Sequence, residues 1–162
     1  MIILLLIFKQ QDNHELKFEH TRGARFSVKS DSDIGVSLLS FSEKDAFNGV
    51  SGASYRMLGL DFVTNLSGTE ISGEVFQRFT SKGKEGGSGA YLQTAVPIKG
   101  DWYWITRLES LNRPNEGSFE RWLIGATWRI KPTQMLKLEF SGGSGDQPEA
   151  PRGFSASYAL FF

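Results

Sequence analysis

Gly153-Phe154-Ser155-Ala156-Ser157-Tyr158-Ala159-Leu160-Phe161-Phe162 is the stretch on which the fold turns. Phe154, Ala156, Tyr158, Leu160 and Phe162 fall on one parity, and Ser155, Ser157, Ala159 and Phe161 on the other. Successive side chains of a strand point to opposite sides, so this two-residue repeat is a strand with one greasy face and one small or polar face. A soluble sheet could use the same pattern with its greasy face in a core. The reading therefore depends on whether the rest of the chain repeats it.

Working back from that stretch, the chain does repeat it. Leu136, Leu138 and Phe140 oppose Lys137, Glu139 and Ser141, and Trp122, Ile124, Ala126, Trp128 and Ile130 oppose Arg121, Gly125, Thr127, Arg129 and Lys131. Trp102, Trp104, Thr106 and Leu108 face away from Arg107 and Glu109. Ala90, Leu92, Thr94, Val96 and Ile98 oppose Tyr91, Gln93 and Ala95. Further upstream, Ile71, Gly73 and Val75 alternate with Glu70, Ser72 and Glu74, and Leu58, Leu60 and Phe62 with Met57, Gly59, Asp61 and Val63. Residues 34–42 form a more uniformly apolar strand. Residues 16–28 alternate imperfectly, with His20 and Arg22 intruding on the greasy parity. No helical repeat of useful length occurs.

Nine strands are predicted after residue 14, and ten if residues 1–9 supply one. Their connections alternate in length. Residues 30–33, 65–68, 99–101 and 132–133 are short turns, and residues 43–53, 80–89, 112–118 and 142–152 are long polar or glycine-rich loops. A soluble sandwich has no reason to keep that order. A bacterial membrane barrel does, with short periplasmic turns at one rim and long external loops at the other.

Composition agrees with that class. The 162 residues carry 18 lysines and arginines against 18 aspartates and glutamates, a neutrality that argues against a nucleic-acid partner. Cysteine is absent, which removes any disulfide framework, thiolate metal site or cysteine nucleophile. Eighteen glycines and 13 phenylalanines suit a turn-rich β protein. The slightly negative mean hydropathy speaks against a helical membrane protein but not against a barrel, where only alternate residues face lipid. The apolar start, Met1 to Phe8, is too short to span a bilayer as a helix and lacks the basic flank and cleavage site of a secretory signal. A barrel needs such a signal, so the expectation is a piece of a longer precursor. Residues 1–14 then form a poorly defined segment with a partial strand, and residues 15–162 the barrel domain.

The two faces have different jobs in this reading. The greasy face carries no charge in the last five strands, and its aromatics gather towards strand ends as interfacial girdles. Trp102, Trp128 and Phe162 lie near the short turns, and Phe119, Trp122, Phe140 and Phe154 towards the loops. The other face collects Asp61, Glu70, Glu74, Arg78, Arg107, Glu109, Arg121, Arg129, Lys137 and Glu139. Of these, Glu74, Arg78, Arg107, Glu109, Arg121, Arg129, Lys137 and Glu139 are the candidates for an ion-selecting lumen, since rings of charged side chains set ion preference in pores. The blander alternative stays open: in a narrow barrel the same charges plug the interior by pairing. A symmetrical hairpin around residues 112–118 sets Glu109 opposite Arg121.

Two resemblances sharpen the expectation. Tyr158, Leu160 and Phe162 resemble the C-terminal assembly signal of bacterial outer-membrane barrels, a terminal Phe preceded by alternate hydrophobic residues. The stretch from Trp102 to Phe162 resembles the C-terminal strands of phosphate-selective and related porins of Gram-negative bacteria. Arg107-Leu-Glu-Ser-Leu-Asn112, Glu120-Arg-Trp-Leu-Ile-Gly-Ala-Thr-Trp-Arg129, Pro132 and Leu136-Lys-Leu-Glu-Phe140 carry it. Such porins are far longer, and their phosphate-binding lysines have no counterpart that can be located here. The resemblance implies an outer-membrane location, contact with outer-membrane lipid and with the barrel-assembly machinery, and small anionic solutes.

The expected architecture is thus an all-β transmembrane antiparallel barrel of about eight to ten strands, or the C-terminal part of a larger one. The expected function is a porin-like passive channel for small or ionic solutes. The alternative is a barrel that does not transport and serves as anchor, adhesin or phage receptor through its loops. No enzyme, cofactor or metal site is expected: His14 and His20 lack zinc spacing, and both precede the regular strands that could build a catalytic constellation.

Overall fold

The computed structural model describes residues 2–4, 16–45, 51–114, 117–145 and 152–160. Among them all regular structure is β, in one antiparallel sheet whose spatial order is the chain order. A three-residue stub, β1 (Ile2–Leu4), lies against Arg25 to Ser27. Nine longer strands follow: β2 (Leu16–Lys29), β3 (Ser32–Asp45), β4 (Ser51–Leu66), β5 (Thr69–Thr80), β6 (Glu85–Lys99), β7 (Trp102–Arg113), β8 (Gly117–Lys131), β9 (Gln134–Ser144) and β10 (Gly153–Leu160).

The short connections are two-residue turns: Ser30-Asp31, Ser67-Gly68, Gly100-Asp101 and Pro132-Thr133. Ser67 and Gly68 both have positive φ, 52° and 86°, the mirror-image turn whose twist matches a hairpin. Asn65 Oδ1 closes it by accepting a hydrogen bond from the Gly68 amide at 2.9 Å.

At the opposite end the strands run further than expected. Only residues 46–50, 81–84, 114–116 and 145–152 separate them, so most of the predicted loops 80–89 and 112–118 and the start of 142–152 are paired strand. The glycines there accommodate rings rather than loosen the chain. Phe76 covers its cross-strand partner Gly89, and Trp122 covers Gly142; a Cβ on either glycine would lie 2.5 Å from the ring. In β2, a bulge between Glu19 and Arg22, with His20 at φ 54°, accounts for the broken alternation.

Register joins the greasy positions into rows across the sheet. Val28, Ile34, Phe62, Gly73, Leu92, Leu108, Trp122 and Gly142 form one such row over β2 to β9. Nearer the short turns Trp102 and Trp128 stack, with ring centroids 5.3 Å apart and planes 4° apart, in a row continued by Leu136 and Tyr158. None of these side chains is buried. Val28 is 72 % exposed, Leu108 55 % and Phe154 71 %, whereas Phe41 is the one buried large apolar residue among those described.

Three expectations need correction. The sheet is not closed into a barrel: among the described residues β10 pairs with β9 alone, and no strand joins β10 to β1 or β2. Direction gives a physical reason. With every neighbour antiparallel, β2 and β10 run the same way, so they cannot pair directly in an all-antiparallel ring. Phe119 belongs with the charged face, in register with Leu111, because it shares parity with Arg121 and not with Trp122. Glu120 does lie on the greasy face, between its partners Ser110 and Ser144, so that face is not free of charge in the last five strands.

Candidate functional site

The charged face is organised by one row. Gly35, Asp61, Glu74, Tyr91, Glu109, Arg121 and Gly143 are successive partners across β3 to β9. It sets two carboxylates, Asp61 and Glu74, directly opposite one another, an arrangement that destabilises a strand pair unless a cation intervenes. Arg25 of β2 reaches over β3 and supplies it. Its Nε donates to Asp61 Oδ2 at 3.2 Å, and its Nη2 donates to Asp61 Oδ1. The reach depends on Gly35, where a Cβ would lie 2.6 Å from the carboxylate and 2.7 Å from the guanidinium.

A second, more enclosed cluster occupies β6 to β8. The register places Glu109 opposite Arg121, as a symmetrical hairpin requires. Arg121 Nε donates to Glu109 Oε2 at 2.6 Å, and its Nη2 pairs with the same oxygen. Arg107 Nε lies 2.5 Å from Glu109 Oε1, close enough for an ion pair, but its N–H does not aim at that oxygen and so forms no hydrogen bond. The Arg107 guanidinium instead sits over the Tyr91 ring, its Cζ 4.1 Å from the ring centroid, a cation–π contact. Glu109, with its side chain 12 % exposed, is the hinge of the group. Two guanidinium groups thus share one carboxylate, and the group keeps a positive excess. Beside it is a pocket of about 180 Å³ whose lining includes Glu74, Tyr91, Arg107, Glu109, Leu111 and Phe119.

The other candidates are spread along the strands. Arg78 lies towards the long connections, where its Nε donates to the Gly86 carbonyl at 2.6 Å and its guanidinium covers Tyr55 at 4.4 Å. Tyr55 in turn leans on Phe41, with centroids 5.5 Å apart. Arg129 lies towards the short turns over Tyr103, at 4.7 Å. Lys137 is in register with Thr127, and Glu139 with Gly125; neither makes a salt bridge to a described residue. The structure therefore gathers Glu74, Arg107, Glu109 and Arg121 and leaves Arg78, Arg129, Lys137 and Glu139 apart. Arg25 and the tyrosines 55, 91 and 103 are the participants that alternation alone did not single out. All four lie on the charged parity, which is the signal that could have found them.

Of the assembly-signal residues, Tyr158 and Leu160 stand half exposed on the greasy face, and Phe162 lies outside the described residues. Among the described residues no group of histidine, aspartate and glutamate has the geometry of a metal site. No protein-family model, curated protein or solved structure matches the chain.

Proposed function

We propose that the chain is a porin-like β-barrel of the bacterial outer membrane, a passive conduit for small or ionic solutes. The observation that carries this reading is the inverted sheet. Large apolar side chains stand exposed over nine strands, while the charges gather on the opposite face around Glu109. A soluble protein rarely leaves a contiguous apolar patch of more than a few hundred Å². In lipid the same face needs no cover, and strands of about nine to eleven residues suffice to cross. Eight of the nine long strands have 11 residues or more.

Spanning also requires closure, because an unpaired strand edge in hydrocarbon leaves amides unsatisfied. Since β2 and β10 run the same way, an odd number of strands must stand between them for every pairing to stay antiparallel. Of the strands described, β1 (Ile2–Leu4) runs in the required direction.

The Arg107–Glu109–Arg121 group favours a second reading, a barrel that does not transport. Ion pairs and stacked rings that brace adjacent strands also fill a narrow interior. Planar-bilayer recordings on the purified chain, after vesicle insertion has been verified, separate the two. A channel shows conductance, and Arg107→Gln with Arg121→Gln shifts its reversal potential in a salt gradient towards cation preference. An inserted chain that stays silent is the anchor or receptor of the second reading. A chain that never inserts refutes both.

A further inference from the structure

The greasy face has a limit towards the long connections, and that limit does not follow a register row. On β3 and β4 the last apolar residues before it are the partners Leu38 and Leu58, with Ser40 and Arg56 next. On β5 and β6 they are Val75 and Ala90, followed by Gln77 and Ser88. On β7 and β8 they are Leu108 and Trp122, followed by Ser110 and Glu120. On β9 and β10 they are Phe140 and Phe154. Measured from the row of Ile34, Gly73, Leu108 and Gly142, these pairs stand four residues beyond it, two beyond it, level with it and two short of it. The limit thus falls by one residue per strand. Phe79, on β5, is apolar and stands past it.

At the other end the short turns descend by the same step. Ser32, Thr69, Trp102 and Gln134, which open β3, β5, β7 and β9, lie two, four, six and eight residues before Ile34, Gly73, Leu108 and Gly142. The two limits are parallel, so the apolar stretch keeps one length. Leu58 to Leu66, Ala90 to Ile98 and Trp122 to Ile130 span nine residues each and recur every 32 residues, and the sequence repeats the span from Phe154 to Phe162. An offset of one residue, about 3.4 Å, per strand spacing of about 4.8 Å inclines the strands by about 35° to the normal of these limits. Strands of membrane barrels tilt by about 35–45°. Projected at that angle, nine residues make a band about 22 Å tall, close to the apolar band of about 25 Å on such barrels.

The charges of the greasy face obey the same limit. Arg22 and Arg56, both partners of Ser40, lie one step past Ala24, Leu38 and Leu58, and Glu120 lies one step past Trp122. A charge on a lipid-facing position is tolerated near the interface and costly at mid-bilayer, so these residues mark an edge. A covering layer in a soluble core has a local footprint, with no reason to hold one width at one offset over eight strands. We infer that membrane hydrocarbon meets this face as an oblique belt, limited on the long-connection side by the line of Leu58, Ala90, Trp122 and Phe154. Register rows then leave the hydrocarbon as they cross the sheet. Leu60 lies inside the belt, and Ser110 and Ser144 of its own row lie outside. This inference rests on the membrane reading above and adds to it the tilt of the strands and the depth of each residue.

The test uses the full chain with single cysteines, each carrying a nitroxide, inserted in phospholipid vesicles. Insertion is scored first, by heat-modifiable gel mobility. Spin-label accessibility is then read against oxygen, which concentrates in hydrocarbon, and a water-soluble nickel chelate. Along the register row of Leu60, Ala90, Ser110 and Ser144, the oxygen-to-nickel ratio is expected to fall in that order, with oxygen dominant at Leu60→Cys and nickel at Ser144→Cys. Along the oblique line of Leu60, Leu92, Ile124 and Ala156, each two residues inside the limit, the ratio is expected to stay constant. Val36→Cys, at the partner of Leu60, takes its place should Leu60→Cys fail to insert. A constant ratio along the register row, with a graded one along the oblique line, overturns the oblique belt and leaves the membrane reading standing. Nickel dominance at every position, or failure of every form to insert, overturns the membrane reading and the belt with it.

Discussion

On β8, Trp122 and Trp128 are 39 % and 36 % exposed, while Thr127, next to Trp128 on the other face, is 6 % exposed. The adjacent Arg121 has its side chain only 21 % exposed, tied to Glu109. The strand thus shelters the Thr127 hydroxyl and the Arg121 guanidinium and presents its tryptophans, while Arg129, near the short turn, is exposed. Ordinary solubility runs the other way, since charged groups are almost never enclosed unless paired and large apolar groups seek cover. Under the proposed membrane reading the two faces obey the same physics with their solvents exchanged: hydrocarbon for the tryptophans, and a polar, partly paired side for Arg121. The difference teaches that the charged face supplies internal cohesion, while the greasy face has none until something apolar meets it.

Moving a charge from one face to the other should have the largest effect. Leu138→Arg puts a cation in the greasy row of Trp104 and Ala126, and is expected to cost about 2–4 kcal/mol of folding in lipid vesicles. Ser141→Arg, on the charged face in the row of Leu123 and Gly153, is expected to be far milder. Urea unfolding in vesicles and gel mobility with and without boiling measure both. Equal tolerance would mean that the faces are misassigned.

A smaller effect tests cohesion of the charged face. Glu109→Gln leaves Arg107 and Arg121 without their shared anion, and is expected to destabilise by about 1–3 kcal/mol in the same unfolding assay. The double variant with Arg121→Gln should recover part of the loss, because it removes one of the two stranded cations. Strict additivity in that cycle would show that the group is three neighbours and not a unit. Smallest of all should be Arg25→Gln. Its bond to Asp61 joins side chains that are 45 % and 23 % exposed, so solvent screens the pair to about 1 kcal/mol or less. A loss as large as that of Glu109→Gln would reveal a more enclosed interior near β2 and β3 than the sheet displays.

Much of this sheet could be read from alternation, because a strand repeats every two residues whatever it packs against. Trp122 to Trp128 and Leu136 to Phe140 fall on the expected faces, and the Glu109–Arg121 register follows from hairpin symmetry. What escaped has physical causes. Glycine-rich margins read as loops because local propensity cannot see the rings of Phe76 and Trp122 that hold Gly89 and Gly142 in strands. Phe119 and Glu120 are legible too: both lie beyond the expected loop 112–118, and parity with Arg121 and Trp122 places Phe119 with the charges and Glu120 with the greasy residues. The Arg25–Asp61 pair joins residues 36 apart across an intervening strand, which no local pattern encodes. The bulge near His20 likewise appears in sequence only as a blemish in the alternation.

The most direct test of the central claim uses the absence of cysteine. Single cysteines placed in turn from Leu123 to Arg129 along β8, labelled with an environment-sensitive fluorophore and inserted in lipid vesicles, report which solvent each position meets. A strict two-residue alternation is expected. Ile124→Cys, Ala126→Cys and Trp128→Cys should be quenched by lipid-phase quenchers, and Leu123→Cys, Gly125→Cys and Thr127→Cys should not. A uniform aqueous signal at every position, or an alternation of the opposite phase, would contradict it.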